Sequence, residues 1–149
     1  MTRPRLPANV PHESPDEVEA HFYEALQQGD LVKMLALWTD DDDTVCVHPG
    51  GARFVGSAAI RASFEAIFTN GPVPAFPEQV HRLHYPGCAV HHLVERISMP
   101  TPAGMKTGWV LATNVYVKTT LGWRIVAHHA SPGSAEEMQT SGETPSILH

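Results

Sequence analysis

Apolar side chains at Val18, Phe22, Ala25 and Leu26 follow the i, i+4, i+7, i+8 spacing of one helical face. Ser14 offers a side-chain oxygen to the free N–H groups at the start of that helix, and Pro15 suits its first position. Asp16 and Glu17 carry the charge that a helix N-terminus favours. Gly29 stops the helix. Asp30 caps a second, shorter helix over residues 31–38, with Met34, Leu35, Leu37 and Trp38 on its apolar side. The acidic run Asp40, Asp41, Asp42, Asp43 ends it. A β-branched strand over 44–48 follows and closes at Pro49-Gly50-Gly51. After Phe54-Val55-Gly56, Ser57 is the expected cap of a third helix marked by Ile60, Phe64, Ile67 and Phe68.

Beyond Pro72 the period changes from 3.6 to 2. Strands are predicted over 78–85, 88–99, 105–119 and 123–131, with turns at Pro86-Gly87, around Pro102-Ala103-Gly104 and at Leu121-Gly122. Helices grouped before a mostly antiparallel meander predict an α+β fold, in which a strongly curved sheet wraps three N-terminal helices and leaves a cavity at its open end. Residues 14–133 form the expected domain. Residues 1–13, with three of the 13 prolines, read as a flexible arm, and 134–149 as a polar, flexible tail.

Composition narrows the function. The formal net charge is −6 without a basic cluster, which argues against a nucleic-acid partner and against an anionic membrane surface. No run approaches the ~18 apolar residues that cross a membrane. Arg3 and Arg5 have no apolar segment behind them, so no signal peptide is expected and the expected location is cytoplasmic. Cys46 and Cys88 form neither a CxxC motif nor a disulfide framework, and read as buried thiols. Ten histidines, none in a terminal run, are the unusual feature.

The chain resembles the nuclear transport factor 2-like superfamily, in particular its SnoaL-like and kinase-association-domain-like branches. The resemblance rests on the opening helix ending Gln28-Gly29-Asp30 and on Trp38 through Asp43-Thr44-Val45-Cys46-Val47-His48-Pro49. It also rests on Val55-Gly56 with Ser57-Ala58-Ala59-Ile60-Arg61, and on Gly122-Trp123-Arg124-Ile125-Val126-Ala127-His128-His129-Ala130-Ser131-Pro132. It implies a cone-shaped α+β barrel, a homodimer formed through the sheet, and a pocket between the concave sheet and the helices. It does not select a reaction, since the superfamily holds isomerases, cyclases, dehydratases, epoxide hydrolases and non-catalytic association modules. The isomerases' tyrosine and protonated-carboxylate pair is not placed in this chain, and the hydrolases' Asp-Arg-Asp arrangement is not seen.

Strand alternation supplies candidate chemistry. On the last strand it groups Trp123, Ile125, Ala127 and His129, the more apolar set, and sends His129 to the pocket mouth as a general acid or base. His128 then faces the convex side, unless a bulge exchanges the two. His48, ending the first strand beside two glycines, is a second proton-transfer candidate. Asp43, near Trp38, is a third, as a carboxylate that orients a histidine or acts as a base. Trp38, Trp109, Phe54, Phe64 and Phe76 are expected as core or pocket wall. Asn114 and Tyr116 share one face, opposite Trp109 and Thr113, and the alternation leaves open which set points inward. Tyr116 is a candidate oxyanion donor. His81, His84, His91 and His92 lie on a predicted hairpin but lack HxH and HExxH spacing. They favour a polar sheet surface or a dimer contact over a metal site, and no cofactor is called for. The expected function is binding of a small hydrophobic molecule. Isomerisation, dehydration or cyclisation of a carbonyl compound through histidine is the possible reaction, and a non-catalytic dimerisation module is the alternative.

Overall fold

A computed structural model of the chain describes residues 12–133. The elements run α1 (Pro15–Gln28), α2 (Leu31–Leu35), β1 (Val45–Val47), β2 (Arg53–Val55), α3 (Ser57–Thr69), β3 (Ala75–Tyr85), β4 (Cys88–Thr101), β5 (Gly104–Thr119) and β6 (Gly122–Pro132). Three helices accompany one six-stranded sheet of order β2-β1-β6-β5-β4-β3, in which only the β1–β6 pair is parallel. The expected α+β architecture is present.

The local signals act as their chemistry predicts at α1 and α2. Ser14 Oγ accepts from the Glu17 N–H at 3.1 Å, and Asp30 Oδ1 from the Lys33 N–H at 3.0 Å. Gly29 closes α1 in the left-handed region at φ 65°. At α3 the expectation is corrected. Gly56, not Ser57, is the cap residue, and Ser57 Oγ instead accepts from the Asp41 N–H at 3.1 Å. The short strand β2 was absent from the sequence pattern; it pairs with β1 through Phe54 opposite Cys46.

Helix α1 touches both β3 and β6, which stand three places apart in the sheet. Strands lie about 4.8 Å apart, and a helix with its side chains is about 10–12 Å across. One helix reaches both strands because the sheet curls around it. The core is therefore the space inside the curl. It is filled by Val18, Phe22, Tyr23 and Leu26 of α1, Ile60 and Phe64 of α3, and Leu93, Ala112 and Ile125 of the sheet.

Two irregularities shape the curl. The β3–β4 register shifts between Glu78 and His81, where Gln79 takes φ 53°. The β5–β6 register shifts between Val115 and Tyr116. Val115 faces Ala127 and Tyr116 faces Ile125, so Val126 is an extra residue on β6. Residue 12, assigned to the arm on sequence grounds, is tied to the domain. The Trp123 N–H donates to the His12 carbonyl at 2.8 Å, and His12 is buried. The rest of the expected arm (1–11) and the expected tail (134–149) lie outside the described residues.

Candidate functional site

The bulge at Val126 decides which histidine enters the cone. Before it, Ile125 points inward; after it, His128 and Ala130 do, and His129 points out. His128 is buried at 3% exposure, whereas His129 is exposed. The expectation that His129 faces the pocket and His128 the convex side is thus reversed, because one extra residue restarts a two-residue period.

His128 lies opposite Asn114. Its Nδ1–H donates to Asn114 Oδ1, since an amide oxygen only accepts. Asn114 Nδ2 donates to the Tyr23 hydroxyl oxygen at 3.3 Å, and that hydroxyl donates to Glu95 Oε2 at 2.8 Å. The result is a one-way hydrogen-bond chain from β6 through β5 and α1 to β4, ending on a carboxylate. All four side chains are buried, and Glu95 is only 4% exposed.

Burial sets the protonation along this chain. Removal from water pushes Glu95 up to about 7, opposed by the Tyr23 hydrogen bond. Desolvation pushes His128 down to about 3, with the neighbouring His48 and His129 acting in the same direction. Desolvation also raises Tyr23 well above its ordinary value. Near neutral pH, His128 is a neutral imidazole and Glu95 is the group poised between its two forms.

His48 approaches from β1 and lies 6.5 Å from His128, ring centre to ring centre. Ser63 Oγ spends its proton on the Ile60 carbonyl at 2.7 Å and accepts from His48 Nε2 at 3.0 Å. The His48 ring meets Phe64 edge to face at 4.9 Å, and burial lowers its pKa. Cys46 is fully buried beneath it, with its thiol pushed up to about 12 by desolvation, and both cysteines are free.

The remaining candidates divide. Tyr116 and Asn114 face inward and are fully buried. Trp109 is half-buried opposite Arg96 on the convex face, so it is not pocket wall. Phe76 is on the convex face too, 4.9 Å beneath the Arg96 guanidinium, and is not core. The Asp43 carboxylate is exposed in the acidic loop and joins neither histidine. The sequence reading missed Tyr23 and Glu95. The available signal was Glu95 between Leu93 and Ile97, a carboxylate at an inward-facing step of an apolar alternation.

A cavity of about 650 Å³ lies apart from the hydrogen-bond chain. It is lined by Trp38, Thr39, Thr44, Ile60, Arg61, the 119–121 turn and Arg124, among others. Trp38 and Ile60 separate it from the aromatic wall, with Trp38 6.1 Å from Phe64. The Trp38 Nε1–H has no partner among the described residues. No helix among the described residues is long and apolar enough to cross a membrane.

Known structures similar to this fold are numerous. A protein from Thiobacillus denitrificans, described as a candidate calcium/calmodulin-dependent protein kinase type II association domain, is 31% identical. The match covers 83% of this chain and 98% of that one at TM-score 0.76. A candidate dehydratase of the NTF2-like family from Streptomyces avermitilis is 29% identical over 79% of this chain and 93% of that one, at TM-score 0.70. The CaMKII hub of S. rosetta shares the fold at 19% identity and TM-score 0.64, over 82% of this chain and 99% of that one. No curated protein sequence matches the chain. The SnoaL-like domain model matches residues 16–135. With that match spanning most of the sequence, and with a three-helix, six-strand cone, the chain belongs to the SnoaL-like family of NTF2-like folds.

Proposed function

We propose that a small, largely apolar carbonyl compound binds between the concave sheet and helices α1 and α3, where packed core side chains give way to admit it, and that Glu95 transfers a proton there. The observation that carries this reading is the buried carboxylate of Glu95, held at about 7 at the end of the His128–Asn114–Tyr23 chain. A general acid–base group works best when its pKa is near the working pH. Glu95 meets that condition. His128, depressed to about 3, does not. The proton-transfer role expected of histidine therefore passes to the carboxylate, and His128 and Asn114 orient Tyr23 against it. Phe22, Phe64 and Trp38 give the site apolar walls. The candidate dehydratase among the similar structures is consistent with this class of chemistry.

The test is α-hydrogen exchange of a cyclohexenone in deuterium oxide, followed by proton NMR. The expected result is exchange accelerated by the wild-type protein, with a rate that titrates near Glu95's value and is lost in Glu95→Gln. Equal exchange with both proteins would sink the reading.

Assembly is the second reading. The convex face of β5 carries Trp109, Leu111, Val115 and Val117, half-buried, and on the same face beyond β4, Leu83 and Tyr85 of β3 are 46% and 61% exposed. A homodimer through this face would cover them, and the T. denitrificans protein is described as an association domain. Light scattering of the wild type and of Val115→Glu discriminates: a dimer that falls to a monomer supports the sheet interface.

A further inference from the structure

Outside the His128–Glu95 chain, polar groups also gather between α1 and β4. Asp16 and Glu19 stand at i and i+3 on α1 and so share a helix face, and His91 of β4 meets them. One metal-binding atom from each of the three lies within 4.8 Å of the other two. His91 Nδ1 donates to Glu19 Oε1 at 2.8 Å, and His91 Nε2 is 3.8 Å from Asp16 Oδ1. Burial is graded. Glu19 and His91 retain 6% and 2% exposure, while the Asp16 side chain is 62% exposed. The cluster thus has a buried floor and a wet lip through which an ion can enter. Tyr116 lies against the floor. Its ring is 4.8 Å from that of His91, it is fully buried, and its hydroxyl has no hydrogen-bond partner among the described residues.

The geometry points to a site for a divalent transition-metal ion bound by Asp16 and His91, with Glu19 beside them holding the His91 ring. Imidazole with carboxylates suits zinc or manganese. Bonds of about 2.0–2.2 Å from one ion to His91 Nε2 and to Asp16 bridge a gap of this size. The Nδ1–H stays on Glu19, which fixes the ring's tautomer as carboxylates do beside metal-bound histidines. The open positions are left to water, the polar group that the Tyr116 hydroxyl lacks. Two carboxylates match the charge of a divalent ion. The present claimant for Asp16 is Arg82, whose Nε donates to Oδ1 at 2.8 Å. Its side chain is 49% exposed, so it can swing into water when an ion takes its place.

The full-length protein, stripped with a chelator, is dialysed against Zn²⁺ or Mn²⁺, and bound metal is counted by elemental analysis. One ion per chain and a raised melting temperature are expected. Asp16→Asn and His91→Gln should each weaken binding by at least the roughly 10–100-fold that even outer-shell partners contribute. Arg82→Gln should tighten it by removing the competing cation. Exposed histidines also collect zinc, so the double variant His81→Ala/His92→Ala, a cross-strand pair on the convex face, is the control and should keep the stoichiometric ion. No bound ion overturns the proposal. So does binding that survives Asp16→Asn and His91→Gln but is lost in the convex-face double variant. If His91→Gln does not fold, the exposed Asp16→Asn decides alone. Glu95→Gln should leave metal binding unchanged, so this site and the proton-transfer reading fail separately.

Discussion

His128 stands directly opposite Asn114 on the inner face of the β5–β6 pair and donates its Nδ1 proton to the Asn114 side-chain oxygen. The neighbouring His129 shares neither the burial nor the partner. His128→Ala leaves the Asn114 oxygen unpaired and opens a void beside Phe22, whose ring lies 5.0 Å away. A loss of about 2–4 kcal/mol is expected from the orphaned polar group and the cavity together. His129→Ala should stay within about 0.5 kcal/mol of wild type. Urea unfolding of both variants near neutral pH checks the contrast, and equal losses would show that the inward histidine is misassigned.

Glu95 gives the fold a pH signature. Its folded pKa, about 7, is above the ordinary carboxylate value. The folded state therefore holds the proton more tightly, and stability falls as pH rises from about 4.5 to about 7, by up to roughly 3 kcal/mol. His128 contributes with the opposite sign. Its folded value, about 3, lies below the unfolded one, so its contribution is present above about 6.5 and is lost as pH falls. Glu95→Gln removes the first limb only. The variant's stability relative to wild type should rise between about pH 5 and about pH 8, measured by denaturant unfolding. A difference that does not change with pH would mean that Glu95 is not desolvated.

Tyr23→Phe tests the middle of the chain. It deprives Glu95 of its donor and Asn114 of its acceptor. A loss of about 1–3 kcal/mol is expected. The Tyr23 hydrogen bond holds Glu95 down, so the carboxyl should titrate higher in the variant. Carbon-13 NMR of the Glu95 side chain reads that shift directly.

Gly56 makes a backbone prediction. It has φ 92° and ψ 156°, a region essentially restricted to glycine, and an added Cβ would sit 3.4 Å from the Asp42 carbonyl oxygen. Its N–H holds the Thr44 carbonyl at 2.8 Å and so fixes the start of α3 against β1. Gly56→Ala should cost about 1–3 kcal/mol, visible as a lowered denaturation midpoint with an unchanged slope.

Local signals in the sequence carried much of the fold. Ser14, Asp30 and Gly29 act through neighbours within a few residues, and the switch to a two-residue period marked the long strands. Non-local choices were not legible. The parallel pairing of Val45–Val47 with β6 depends on residues about 80 positions away, and nothing in a three-residue strand names its partner. Along β5, the apolar set containing Trp109, Leu111 and Val115 turned out to be the convex one, while the inner set holds Asn114 and Tyr116. Hydrophobicity does not distinguish two faces that are both partly covered. Glu95 was passed over because a carboxylate is ordinarily a surface residue, and only its Tyr23 partner, 72 positions away, explains its burial.

The extra residue at Val126 has a consequence for how such a cone diversifies. In a two-residue repeat, inserting or deleting one amino acid exchanges the lining of a strand with its outer coat while leaving every side chain unchanged. Two chains carrying the same pair of adjacent histidines can thus present opposite members of the pair to a ligand. Correspondence between relatives at this strand has to be counted along the backbone ladder, rung by rung, rather than by matching letters.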